Sequence, residues 1–168
     1  IKGIRNITIN DIKNCNDLGY KIKLLGNSLL LDNVNGNKDL FCSVEPWLIP
    51  HNYGLANVSG VTNAVQIESS LAGPVMITGA GAGGEPTASA VLADIIDFAN
   101  EAKSYPFGRK SADIESNVKS TSYKDNLKFY LRFTVLDKSG VLADLTSIFK
   151  DHDLSIESFI QKLNPSDK

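Results

Sequence analysis

Cysteine, histidine and long apolar runs are all scarce in this 168-residue sequence, and each scarcity removes a class of protein. The two cysteines, Cys15 and Cys42, stand apart without paired spacing, and the only histidines are His51 and His152. A compact zinc set has no material here, and no metal site is assigned. Two isolated thiols fit reduced side chains in a cytoplasmic protein better than a disulfide framework. No apolar stretch approaches the ~18 residues of a membrane span, so no membrane role is expected. Charge of one sign is lacking as well: 17 Lys and Arg against 19 Asp and Glu give a formal net charge of −2. The basic residues are dispersed, which leaves no electrostatic footprint for nucleic acid. Ile1-Lys-Gly-Ile-Arg5 has neither an initiator methionine nor a signal-peptide pattern, and the chain reads as cut from something longer.

What is present is a globular composition, 42% hydrophobic and 21% charged, sized for one or two small domains. The most informative stretch runs from Val75 to Asn100. An apolar run, Pro74 to Thr78, enters a loop holding Gly79, Gly81, Gly83 and Gly84; Ala88, Val91, Leu92, Ile95, Ile96 and Ala99 then recur at helical spacing. Strand, glycine turn and helix follow one another. Glycines at such a turn let a ligand meet bare backbone, and the helix start offers unpaired N–H groups. Pro86 suits the first turn, and Thr87 is a candidate cap one residue later. Gly79, Gly81 and Gly84 satisfy the letter of a dinucleotide fingerprint, but the second strand and acid such a unit needs are replaced by the Lys103–Gly108 loop. On pattern alone the glycines serve equally as a tight connection.

Elsewhere, Ile7 and Ile9 alternate as in a short strand, with Asn10 or Asp11 capping a helical turn that ends at Gly19. Tyr20–Asp32 reads as two strands about Gly26-Asn27-Ser28, Asn33–Lys38 as a turn, and Leu40–Pro46 as extended chain. Two prolines in Glu45–His51 predict a rigid loop. Val58, Val61, Ala64 and Val65 fall at near-helical spacing, although Ala64–Glu68 fits a strand equally well. His51, Trp47, Glu45 and Glu68 read as structural or solvated rather than catalytic. Ser104–Asn126, rich in Ser, Lys and Asp, reads as a linker in which Arg109 and Lys110 are solvated. Phe129, Leu131, Phe133 and Val135 alternate as a half-buried strand. A helix from Val141 to Phe149 and a second strand over Leu154–Phe159 complete a βαβ unit.

The sequence G-A-G-A-G-G-E-P-T-A-S-A-V-L-A-D-I resembles the closing glycine loop and helix of homoserine dehydrogenases. P-W-L-I-P-H-N-Y-G-L-A-N-V-S-G-V-T-N-A-V, I-K-G-I-R-N-I-T-I-N-D-I and L-G-Y-K-I-K-L-L-G are similar to the same family, so the resemblance spans roughly Ile1 to Ala99. It implies NAD(P)H-dependent interconversion of L-homoserine and L-aspartate 4-semialdehyde in threonine and methionine biosynthesis, with NADP or NAD as cofactor. Gly83 is then the expected cofactor contact, with Gly81 and Gly84 shaping the approach and Glu85 at its exit. The resemblance also implies that the dinucleotide fingerprint and the proton-handling lysine lie upstream of Ile1. No catalytic residue is therefore assigned, Lys13, Lys21 and Lys23 being surface or strand-edge residues, and no turnover is expected of the chain alone.

The segment F-Y-L-R-F-T-V-L-D-K-S-G-V-L-A-D-L resembles the front half of an ACT domain, a βαββαβ amino-acid sensor, with Ser139 in place of its usual proline. That implies an effector loop of Asp137, Gly140, Val141 and Leu142, with threonine as the favoured effector. Unpaired strand edges there favour association, and a homodimer or higher homo-oligomer is expected. The expected fold is α+β: residues 1–103 as the C-terminal part of the catalytic region with a mixed sheet, 104–126 as a linker, and 127–168 as a partial ACT unit of ferredoxin-like type. The alternative is a non-catalytic amino-acid-binding module, which has no use for Gly79–Thr87.

Overall fold

In the computed structural model, which describes residues 3–33, 35–102, 105, 107–114, 118–122 and 127–162, Thr8 rather than Asn10 or Asp11 starts the first helix. The Asp11 N–H donates to the Thr8 hydroxyl at 3.3 Å, and the Asp11 carboxylate accepts the Thr8 N–H at 2.8 Å. This reciprocal box fixes α1 over Ile9–Asp17, so the expected strand at Ile7 and Ile9 is not formed. Gly19, at φ 88°, turns the chain out of α1 as expected.

Strand β1 (Tyr20–Asp32) runs without interruption and pairs antiparallel along its whole length with β2 (Lys38–Pro50). This corrects two expectations. Gly26, Asn27 and Ser28 do not turn the chain, because they pair with Val44, Ser43 and Cys42 and the ladder outweighs their turn preference. The prolines at 46 and 50 sit in strand rather than loop. Beyond Leu40, β2 pairs only with β1 among the described residues, and proline is tolerated on such an edge. The turn between the strands follows expectation: the Asn33 side chain accepts the N–H groups of Asn35 and Asn37, and Gly36 takes φ 74°.

A 3-10 turn at Gly54–Asn57 leads to the antiparallel hairpin of β3 (Thr62–Ser69) and β4 (Gly73–Ala80), which decides residues 62–69 as strand. Helix α2 spans Gly84–Ala99. Part of the expected linker is ordered, since β5 (Lys119–Ser120) pairs parallel with Asp39–Leu40. Helix α3 covers Val141–Asp151. The strands expected at Phe129–Val135 and Leu154–Phe159 join neither sheet among the described residues. Alternation gives these segments an apolar side, but a ladder also needs a neighbour, and neither pairs with a strand among the described residues. The Phe133 ring nevertheless lies 6.0 Å from that of Phe149 on α3.

The buried core is small: Cys15 from α1, Phe41 and Ile49 from β2, and Ala56. Total accessible surface is 14416 Å², against about 8,100 Å² expected for a compact monomer of this mass. Large apolar side chains lie exposed. On α2, Val91, Leu92, Ile95 and Ile96 are each more than half exposed, and one face of the β1–β2 sheet exposes Leu24, Leu30 and Val44. Such faces belong against other protein surface. No helix among the described residues is long and apolar enough to cross a membrane.

Candidate functional site

The glycine loop is built by the end of the hairpin. The N–H of Gly81 donates to the carbonyl of Val61 at 2.7 Å, carrying the β3–β4 pairing one residue beyond the strands. A Cβ on Gly81 would lie 2.1 Å from Asn63 Nδ2, so the Asn63 side chain occupies the space that glycine leaves. Asn63 was not singled out from sequence; it lies in the T-N-A-V stretch, and only the hairpin register brings it beside Gly81.

Gly83 caps α2 with φ 127° and ψ 150°, a region essentially closed to residues with a Cβ. A Cβ there would also stand 3.2 Å from Pro86 Cδ. Thr87 does not cap the helix as expected: its hydroxyl donates to the Gly83 carbonyl at 2.7 Å, because Thr87 already lies inside the first turn. No side chain caps α2. Pro86 has no N–H, and those of Gly84 and Glu85 donate to no backbone oxygen among the described residues. A Cβ on Gly84 would meet nothing within 4 Å. The loop therefore presents two backbone donors, open space at Gly84 and one carboxylate, Glu85, in the first turn. Glu85 complements the positive end of the helix dipole.

Beside the hairpin a cleft of about 270 Å³ is lined by Gly54, Asn57, Val58, Thr62, Met76 and Thr78. Two lysines of β1 hold one wall: Lys21 Nζ donates to Asn57 Oδ1 at 3.3 Å and Lys23 Nζ to the Val58 carbonyl at 2.6 Å. His51 is exposed and takes part through its backbone, donating to Gly19 at 3.0 Å and accepting from Asn57 Nδ2 at 3.2 Å. Trp47 is half-buried with its Nε1 covered and without a hydrogen-bond partner among the described residues, and Glu68 accepts from Gln66 at 2.6 Å. Cys15 and Cys42 are both free thiols.

The second candidate loop repeats the design of the first. Gly140 caps α3 at φ 95°, no side chain caps the helix, and Asp144 is the acid of the first turn. The Val141 N–H leans on the Lys138 carbonyl at 3.4 Å, while those of Leu142 and Ala143 donate to no backbone oxygen among the described residues. Asp137 makes no hydrogen bond among the described residues.

The strongest polar cluster was not anticipated. Asp11 is buried; its Oδ2 serves Thr8, while Oδ1 accepts from Arg132 Nε at 2.8 Å and from the Tyr130 hydroxyl at 3.2 Å. Asn14 Nδ2 donates to the same hydroxyl at 3.3 Å. Burial works to raise the Asp11 pKa, but the hydrogen bonds from Thr8 and Tyr130 and the Arg132 charge together hold it below its ordinary value. The Cys15 thiol is pushed up by burial and by the neighbouring Asp11 charge.

Residues 1–96, which include the hairpin, the glycine loop and most of α2, match the family model for homoserine dehydrogenase. The chain belongs to that family. A homoserine dehydrogenase of Neisseria gonorrhoeae is 36% identical over 96% of this chain, and one of Corynebacterium glutamicum 33% identical over 99%. The crystal structure of a homoserine dehydrogenase from Thiobacillus denitrificans superposes with a TM-score of 0.66 at 32% identity, covering 95% of this chain. The chain spans a little over a third of these homoserine dehydrogenases, 38%, 37% and 37% of their respective lengths. The mixed α+β architecture is thus that of a homoserine dehydrogenase segment, and the bare Gly81–Glu85 backbone lies within the part matched to the family.

Proposed function

We propose that this chain supplies the substrate-side sheet and the cofactor-closing loop of a cytoplasmic, NAD(P)-dependent homoserine dehydrogenase that interconverts L-homoserine and L-aspartate 4-semialdehyde. The observation that carries this is the start of α2, where Gly83 adopts a backbone that favours glycine and the Gly84 and Glu85 N–H groups donate to no backbone oxygen among the described residues. The donor set fits a nicotinamide: the N–H groups suit its carboxamide oxygen, and Glu85 tolerates a ring that is neutral when reduced and cationic when oxidised. When bound, the cofactor supplies the hydride. Gly81, Gly83 and Gly84 let the ring come close, and Asn63 holds the loop against the hairpin. NAD and NADP meet these terms alike, because they differ by a phosphate on the ribose. The exposed apolar faces of α2 and of the β1–β2 sheet are surfaces for the remainder of the enzyme and for a second copy in a homodimer or higher homo-oligomer.

Hydrogen exchange on the parent protein tests the loop. Adding NADPH should slow exchange at residues 81–87 by about tenfold or more; unchanged exchange there, with NADPH bound, would remove the loop from the cofactor site.

Residues 127–162 belong, in the same proposal, to an ACT-type sensor. In a split βαβ arrangement the two strands of one half are parted by a strand of the other, in keeping with Phe129–Val135 and Leu154–Phe159 joining neither sheet among the described residues. Threonine is the proposed effector, its ammonium on Asp137 and its carboxylate at the α3 start beside Gly140, Val141 and Leu142. Calorimetric titration of threonine into the parent protein should give heat that Asp137→Ala and Gly140→Val diminish. Equal heats in all three would leave the loop without a sensing role.

A further inference from the structure

We propose that Asp11, Tyr130 and Arg132 form a latch through which residues 127–162 set the position of α1 and, behind it, the cleft wall at Asn57 and Val58. One carboxylate performs two tasks. Through Oδ2 it closes the capping box that starts α1, and through Oδ1 it holds Arg132 and Tyr130, more than a hundred residues downstream. The Asp11 side chain is only 7% exposed, so its negative charge depends on these partners. Asn14, one turn further along α1, donates to the Tyr130 hydroxyl, and Asp17 at the helix end pairs with Lys162. The latched side of α1 thus carries contacts at three successive positions.

A continuous set of bonds leads onward. Helix α1 ends at Asp17 with Leu18 as its C-cap, and the next residue, Gly19, accepts the His51 N–H. The His51 carbonyl accepts from Asn57 Nδ2, while Lys21 and Lys23, just inside β1, grip Asn57 and Val58. Displacing α1 therefore acts on the cleft wall through backbone carbonyls and two lysine ammonium groups. At the other end, Phe133 packs its ring towards Phe149 of α3, and Asp137 follows Arg132 by five residues. A shift of α3, whose Phe149 near the C-terminal end meets Phe133, is thereby passed to the adjoining Arg132. This holds whichever molecule, if any, the 137–142 loop takes.

Hydrogen exchange on the parent protein decides the matter, comparing Arg132→Met, Tyr130→Phe and Lys128→Ala with the unchanged protein. Arg132→Met leaves the Asp11 cap intact and should speed exchange about tenfold both at residues 9–18 and at residues 54–58, with a smaller rise for Tyr130→Phe. Lys128→Ala breaks an exposed ion pair with Glu157 inside the C-terminal segment and should change neither region. A change confined to residues 127–162, or a faster α1 with residues 54–58 unchanged, would overturn the latch. An equal effect of Lys128→Ala would do the same, since it would mean general loosening. Should Arg132→Met fail to fold, Tyr130→Phe, which loses a single hydroxyl, is read in the same two regions.

Discussion

Replacing Gly83 by valine in the parent enzyme is expected to raise the cofactor KM by at least about tenfold, a loss of roughly 1.4 kcal/mol of binding. Two effects act together. The backbone at φ 127° and ψ 150° costs about 1–3 kcal/mol for any residue with a Cβ, so the loop must take another path. The new side chain would also meet Pro86. Either change redirects the N–H groups of Gly84 and Glu85. Gly84→Ala separates strain from ligand contact, because its Cβ meets nothing within 4 Å and alanine is the better helix former. It should leave the melting temperature unchanged or slightly higher while still raising the cofactor KM. If both variants bind cofactor as the unchanged enzyme does, the glycines serve only to connect strand and helix.

Asp11→Ala should destabilise the parent protein by about 3 kcal/mol, the sum of the lost carboxylate half of the capping box and lost charge-assisted bonds. Asp11→Asn keeps an oxygen for the cap and should cost less. The dependence on pH follows from the direction of the shift. The folded-state pKa of Asp11 lies below its ordinary 3.8, so its contribution is fully present above that value and is lost as pH falls through the folded-state pKa. Melting temperatures of the unchanged protein and Asp11→Asn should therefore begin to draw together once pH falls below 3.8. Curves that stay parallel throughout would deny Asp11 its role as a buried, paired carboxylate.

Local pattern made β4, α2 and α3 legible, because an apolar run bounded by glycine and an apolar stripe at helical spacing each state their own geometry. Choices between pairing and local preference were less legible. Gly26-Asn27-Ser28 carries turn chemistry, yet a thirteen-residue partner strand keeps it extended, and the same pairing draws Pro46 and Pro50 into β2. The glycine positions of the candidate site could be read directly; the reason for Gly81 could not, since Asn63 meets it only through the β3–β4 register. Asp11 was furthest from view. Its capping partner is three residues away, but its other partners are 119 and more, and no periodicity links residues so distant.

The central claim is that this chain is the loop-bearing segment of an NAD(P)-dependent homoserine dehydrogenase. Its most direct test is the oxidation of NADPH or NADH with L-aspartate 4-semialdehyde, followed for the parent protein and for the 168-residue chain alone. The account predicts turnover with formation of homoserine by the parent, and no rate above a mock preparation for the 168-residue chain, which spans 38% and 37% of the length of its homoserine dehydrogenase relatives. A parent inert with both cofactors, or measurable turnover by the isolated chain, would contradict it.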